Sequence, residues 1–497
     1  MRERHRQHPA VTGATDGKPL LNPPAPPTIL TSSAAGLPAI DDRRDSPALR
    51  DWTDVIFFAG LALLPVDGTR FGFAMPYWTP ISPMLFLVYT LLNVGLHPHI
   101  TSHTIRRFTP FVGFAGLLVV ISIFDWPTVG IRPRQAGVTA VAVATGLSTL
   151  LALDIARNGK RLNVRTMVTT LIAAYSAAFV VGVIQFANQL NHLNIQAIHR
   201  FFFNIIERPY FAVRPQFLFA EPSYIGVHLF GILMPAYWLT RDRRLPWLII
   251  GFAGGAIAMQ SGRRIIIDTV VCMVIWFVAT FRFQRTGRAI AATVGTGAAA
   301  IMAAVAAFTL QPQLRAIATQ GLMGGDFSTS SRTFLTLAPT FAGIHDPVHW
   351  LFGFGAGNLA DAIRRGFPYA AEYYESRSIA LNSEIRLLAN PPADTFTMSF
   401  FTTFVAEFGL VALAALFALI VGWITRNHAW NRRTVCWLIL LAYLYCQFEA
   451  YAFAAFWLFV WAVGTDNEWS LGTESQIYNE HDSLPQNHGT ELLKSKY

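Results

Sequence analysis

The sequence predicts an all-α polytopic membrane protein, with about twelve transmembrane helices and one large periplasmic loop between helices 9 and 10, on three observations. Apolar residues make up 53% of the chain and charged residues only 13%, outside the usual range of a soluble domain. Apolar runs of spanning length recur between residues 53 and 465. Lysine and arginine gather in short clusters between alternate runs, which is how a positive-inside topology is written. The formal charge of +9 is dispersed among those clusters, so it reads as orientation and not as a nucleic-acid surface.

In chain order, residues 1–52 are polar, with Pro19, Pro23, Pro24, Pro26 and Pro27 closely spaced, and are expected to form a disordered cytoplasmic tail. They lack the short apolar core of a secretory signal, so internal helices are expected to direct insertion. The transmembrane domain is expected over 53–465, with runs near 53–67, 81–96, 109–127, 136–156, 167–187, 223–240, 246–261, 265–281, 289–310, 396–424, 434–448 and 450–465. The last two read equally well as one long helix. Arg106 and Arg107, the group Arg157 to Arg165, Arg241 to Arg244, Arg282 to Arg288, and Arg426 to Arg433 mark cytoplasmic loops. Both termini, including the tail 466–497, then lie in the cytoplasm, and 68–80, 128–135, 188–222 and 311–395 lie outside. Cys272, Cys436 and Cys446 all sit in apolar runs, which suggests neither a disulfide framework nor a thiolate metal site.

The stretch Arg214 to Gly226, RPQFLFAEPSYIG, opens the run 223–240. Pro222 suits the first turn of a helix, and Glu221 or Ser223 suits its cap. A helix start favours an anion, and Arg214 adds a full charge seven residues before Glu221, so the stretch fits a phosphate. An interfacial Arg214–Glu221 ion pair, with Ser223 only a cap, is the structural alternative. A second basic site is Ser261-Gly262-Arg263-Arg264, after a run too short to cross a full hydrocarbon core. An arginine at depth needs a partner or a wet cavity; snorkelling is its plainer explanation.

Segment 311–395 carries six arginines against seven acids, so an anion site there needs individually placed arginines such as Arg332. Its turn Gly353-Phe354-Gly355-Ala356-Gly357-Asn358 follows no strand and precedes no lysine, unlike a nucleotide-cradling loop. Glu372 and Glu375, one helical turn apart, read as a solvated face and not as a metal site. His97, His99 and His103 have no acidic or thiol company in their own loop. His228, seven residues after Glu221, reads as a packed helix histidine before it reads as a proton carrier. Among Asp154, Asp268, Glu407 and Glu449, only Glu449 is left as a relay candidate, the others being able to reach a helix end or an arginine.

With RPQFLFAEPSYIG before a membrane helix, QSGRR after the next, then SSRTFLTLAP and WLFGFGAGN in one late loop, the chain resembles the bacterial O-antigen and exopolysaccharide polymerases over residues 165 to 425. The O-antigen ligases are relatives of similar layout. The resemblance implies a glycosyltransferase of the inner membrane, without a cofactor, acting at the periplasmic face on undecaprenyl-diphosphate-linked oligosaccharide, and because no Asp-x-Asp occurs in any outside segment it is expected to be metal-independent. The family's external arginines fall on Arg214, Arg263 or Arg264, and Arg332. It implies catalytic roles for Arg214, Glu221 and Arg332, substrate binding at Arg263, Arg264, Ser223, Gly355 and Asn358, and a chain-length regulator among the partners. Ligases tend to carry a histidine in or near the late glycine motif, where this chain has Phe354 and Ala356, with His345 and His349 nearest. That favours polymerase over ligase. A transporter or flippase of lipid-linked sugars is the rival class, but the paired halves it should show are absent from the sequence.

Overall fold

A computed structural model describes residues 50–69, 78–190, 214–280, 295, 321–324 and 327–465. Apart from residue 295, the expected helix 289–310 lies outside the described residues, as do the arginine loop 282–288, residues 191–213, and the tails 1–49 and 466–497. Among the described residues the protein is all helical, with one isolated bridge between Gly68 and Thr79 and no named strand.

The first half runs α1 (Thr53–Ala62), α2 (Ser82–Leu96), α3 (Pro98–Arg107), α4 (Thr109–Val129), α5 (Pro133–Asp154) and α6 (Val164–Gln189). A proline stands in the first turn of α2, α3, α4 and α5, where its missing N–H would have no helical partner anyway. Asn163 caps α6 by accepting from Arg165 N. The run expected as one helix over 223–240 is built in pieces: a 3₁₀ turn Pro222–Tyr224, α7 (Ile225–His228), a π turn Leu229–Leu233 and α8 (Met234–Thr240). Pro235 is the physical reason, because it has no N–H for the carbonyl of Gly231 and its ring crowds that carbonyl.

The chain continues with α9 (Arg244–Ala258), α10 (Arg264–Thr280), α11 (Phe327–His345), α12 (Pro347–Phe352), α13 (Leu359–Ser376), α14 (Ser383–Leu387), α15 (Phe400–Arg426), α16 (Arg432–Tyr445) and α17 (Ala454–Gly464). Asp346, Asn382, Ser399 and Asn431 cap α12, α14, α15 and α16 with their side chains. The run expected as two helices or one is two, α16 and α17, parted by the connection 446–453. Among the described residues four helices are long and apolar enough to cross a membrane: α4, α5 with its π extension to Gly159, α6 and α15. The chain is therefore a multi-pass membrane protein on length and composition.

The main core gathers α1, α2, α5 to α10, α16 and α17, with a smaller one between α4 and α15. A further cluster is formed by α11, α13 and α14, so the segment read as a long loop has its own packed interior. At the start of α1, Lys160 is fully buried, its Nζ 2.8 Å from both Asp51 oxygens, 2.7 Å from Thr53 Oγ1 and 2.9 Å from Asp54 Oδ1. His97 meets the same Asp51 at 2.6 Å, an acidic partner its own loop lacks.

Candidate functional site

The loop from Gln216 to Glu221 is held by side chains that accept its backbone N–H groups. Phe217 has φ of 60°, a left-handed conformation that costs a non-glycine residue about 1 kcal/mol or more. Gln185 of α6 offsets it: Oε1 accepts from Gln216 N at 3.0 Å and Phe217 N at 2.8 Å, and Nε2 donates to Phe217 O at 2.8 Å. Gly182, one turn earlier, leaves the space the Phe217 ring fills, since a Cβ there would lie 2.0 Å from it. Further along, Asp67 Oδ1 accepts from Ala220 N at 2.5 Å, and Oδ2 meets His228 Nε2 at 2.9 Å. His228 Nδ1 in turn meets the Tyr175 hydroxyl at 2.9 Å. All three side chains are buried, so a chain of hydrogen bonds runs from α6 through α7 to the residue before Glu221.

Glu221 takes extended backbone before the 3₁₀ turn, and its side chain makes no capping bond. Instead Ser223 Oγ donates to Glu221 Oε2 at 2.8 Å, and both residues are partly exposed. Among the described residues no ion pair joins Arg214 to Glu221; Arg214 is exposed. Gly262 faces Pro222, where a side-chain Cβ would lie 3.4 Å from it, which brings the second basic site to the first motif across the helix pair. There the two arginines differ. Arg264 Nη1 donates to Gln447 O at 2.8 Å, its Nε is 3.4 Å from Asp268 Oδ2, and Tyr443 donates to Asp268 Oδ1 at 2.6 Å. Its Nη2 and the buried Ser261 Oγ have no hydrogen-bond partner among the described residues. Arg263 is half-buried with no hydrogen-bond partner of its side chain shown.

The connection 446–453 joins this end to the late motifs. Phe448 packs on Tyr224 with ring centroids 4.8 Å apart, and the Gln447 carbonyl takes the Arg264 bond. Glu449 Oε2 accepts from Thr397 N at 2.8 Å, and Tyr451 donates to Glu407 Oε2 at 2.9 Å. On the far side of Tyr451, an apolar cavity of about 360 Å³ lies between α4, α15, α16 and α17, lined by Phe111, Phe114, Phe404, Phe417, Tyr445 and Trp457 among others.

The glycine turn is a clamp. Gly353, Gly355 and Gly357 all have positive φ, and each has backbone or an aromatic ring where a Cβ would go. Gly353 faces the Glu407 carbonyl, and Gly409, the kink in α15, faces the Leu351 carbonyl, so two backbones cross in direct contact. Phe354 N and Gly355 N donate to Ala406 O and Glu407 O, and Gly357 N donates to Glu407 Oε1 at 2.8 Å. Asn358 is buried, its Nδ2 donating to Gly130 O at 2.9 Å and Phe354 O at 2.8 Å. Gly355 and Asn358 are thereby committed to packing α13 against α4, α5 and α15.

Arg332 lies exposed on α11, which packs mainly on α13 and α12 and not on α7 or α10. Glu221, Ser223, Arg263 and Arg264 are thus brought together, while Arg332 stays with the second cluster. Missed from sequence was a pair beside the glycine turn: Asp346 Oδ2 meets His349 Nδ1 at 2.6 Å, and His349 Nε2 meets Thr128 Oγ1 at 3.1 Å. Burial pushes the Asp346 carboxyl up, but the hydrogen bonds from His349 and the nearby Arg365 charge outweigh it and hold it below the usual range. Its signal was the Asp-x-x-His spacing, which a capped helix start places on one side. Glu372 and Glu375 are exposed on α13, and among the described residues no three His, Cys, Asp or Glu converge as metal ligands. No family model matches the chain, and no curated protein matches it.

Proposed function

We propose that the chain is a glycosyltransferase of the inner membrane that polymerises undecaprenyl-diphosphate-linked oligosaccharide repeats into O-antigen or exopolysaccharide at the periplasmic face. The observation that carries the reading is the approach of Gly262 to Pro222, which stands between Glu221 and Ser223, with Arg264 held to Gln447 and the apolar cavity lined by Ala450 and Tyr451 of the same 446–453 connection. Places for a charged head group and for an apolar chain lie side by side, as a lipid diphosphate requires. About twelve helices, cytoplasmic termini and a periplasmic segment 311–395 belong to the same reading.

In that reaction an acceptor hydroxyl attacks the anomeric carbon, the bond to the lipid diphosphate breaks, and the hydroxyl proton passes to a base. Arginines stabilise the diphosphate as its charge grows, and a guanidinium does so through two parallel hydrogen bonds. Arg214, Arg263 and Arg332 offer uncommitted guanidiniums, whereas Arg264 is braced by Asp268 and Gln447. Glu221 is the base in this reading, its carboxylate oriented by Ser223.

Purified protein given lipid-linked repeat units is expected to make a ladder of polymer, and to keep making it in excess chelator. Activity that falls to background and returns with magnesium or manganese overturns the metal-independent mechanism. Arg214→Ala and Arg332→Ala should abolish polymer at normal protein levels, and Arg332→Lys should not restore it, because a point charge does not replace a bidentate fork. Full activity in Glu221→Gln removes Glu221 from the chemistry. In a deletion strain, single repeats remaining on the surface indicate a polymerase and free lipid-linked polymer a ligase.

A further inference from the structure

Among the described residues nothing covers the apolar face of α12 and the end of α11. Ile344 is 54% exposed, Val348 63%, Leu351 44% and Phe352 45%. Val348, Leu351 and Phe352 recur at three and four residues on one side of α12, with Trp350 turned away onto Gly343 and His349 buried against Thr128, and Ile344 adds to them from the end of α11. Four large apolar side chains in water forfeit the free energy that burying them would release. A soluble segment would not keep them there together.

What adjoins this face decides its occupant. α4 is long and apolar enough to cross a membrane, and its exposed stripe Leu117, Val120 and Phe124, the last 73% exposed, runs toward Thr128 and so into the His349 side of α12. α15 is also of spanning length, and its exposed Val411 lies two residues beyond Gly409, whose backbone touches Leu351. The α12 face therefore adjoins the exposed apolar surface of α15 at Leu351, while α4 flanks the helix on its His349 side. The polar groups of the segment stand on α13, where Arg364, Arg365, Glu372 and Glu375 are exposed.

We propose that α12 is an interfacial helix, seated in the lipid leaflet at this end of the bundle with Ile344, Val348, Leu351 and Phe352 among the acyl chains. The partner is the bilayer itself. Docked this way, α11 to α14 are held against the membrane surface and do not stand off in water. The inference does not depend on the proposed reaction.

The test uses full-length protein in phosphatidylcholine nanodiscs, with Cys272, Cys436 and Cys446 replaced by serine and an environment-sensitive fluorophore on a single new cysteine. Val348→Cys and Phe352→Cys are expected to be quenched several-fold more by lipids brominated near the head group than Glu372→Cys, and to be shielded from aqueous iodide. Two positions keep the test open should one variant fail to fold. Quenching by iodide equal to that at position 372, without quenching by brominated lipid, overturns the proposal. Shielding from both quenchers that appears only when two copies share a disc also overturns it, in favour of a protein partner.

Discussion

The loop before Glu221 and the glycine turn at 353–358 solve the same problem, an irregular backbone inside a helical bundle, by opposite means. At the loop, side chains of Gln185 and Asp67 reach in and take the N–H groups. At the turn, backbone lies on backbone, and the carbonyls of Ala406 and Glu407, freed by the kink at Gly409, take them. The first arrangement depends on the acceptors being present. The second depends on side chains being absent.

The comparison is broken most severely at Gly353. Alanine there adds a Cβ 2.3 Å from the Glu407 carbonyl oxygen at a φ of +92°, so its cost should reach about 3 kcal/mol or more. Thermal unfolding in detergent is expected to show the largest drop of the series, and an unchanged midpoint would refute the backbone crossing. Next comes Asp67→Ala, which strands the Ala220 N–H and a nitrogen of His228 in a buried setting, at about 2–4 kcal/mol. Asp67→Asn keeps an acceptor for Ala220 and should recover most of it. Equal losses in the two variants would mean that charge, and not hydrogen bonding, holds the loop.

A smaller effect is expected from pH. Burial, only partly offset by hydrogen bonds from Thr403, Thr397 and Met398, raises the Glu449 carboxyl from its ordinary 4.5 to about 7. The stabilisation of its neutral form is full below about 4.5 and is lost as pH rises through about 7. Wild-type protein should thus lose thermal stability between pH 5 and 8 beyond what Glu449→Gln loses, measured over the same pH series. Parallel curves would remove Glu449 as the source. The smallest change belongs to Arg332→Ala, an exposed site whose stability should stay within about 0.5 kcal/mol, so that any loss of polymer there reports on chemistry alone.

Hydropathy found the helices because burial in lipid needs only a count of apolar residues, and the spans at α4, α5, α6 and α15 follow it closely. It did not find the break at 229–233, although Pro235 marked it, because a proline in a membrane run is often tolerated. The partnership of Asp67 with His228 spans 161 residues and was invisible, since a buried acceptor is chosen by tertiary packing and leaves no local pattern. The same holds for Gly353 and Gly409: glycine content suggested a flexible turn, and only the crossing chain shows why side chains are excluded. The connection 446–453 was hidden by its own apolar character, which reads as a continuation of the helices it separates.

The Lys160 cluster bears on how the chain assembles during synthesis. α1 has ten residues, about 15 Å of helix, and begins beside Asp51 and Asp54, so it is too short and too charged at one end to settle in a bilayer unaided. The ammonium that neutralises those two acids leaves the ribosome more than a hundred residues later. Helix α1 is therefore not fixed until α2 to α5 have been made, and waits at the membrane surface until the end of α5 arrives. A chain stalled at residue 150 should leave an Asp51→Cys probe open to an aqueous thiol reagent, while a Thr53→Cys probe in the completed chain should be protected; early protection of both would place the commitment of α1 before Lys160.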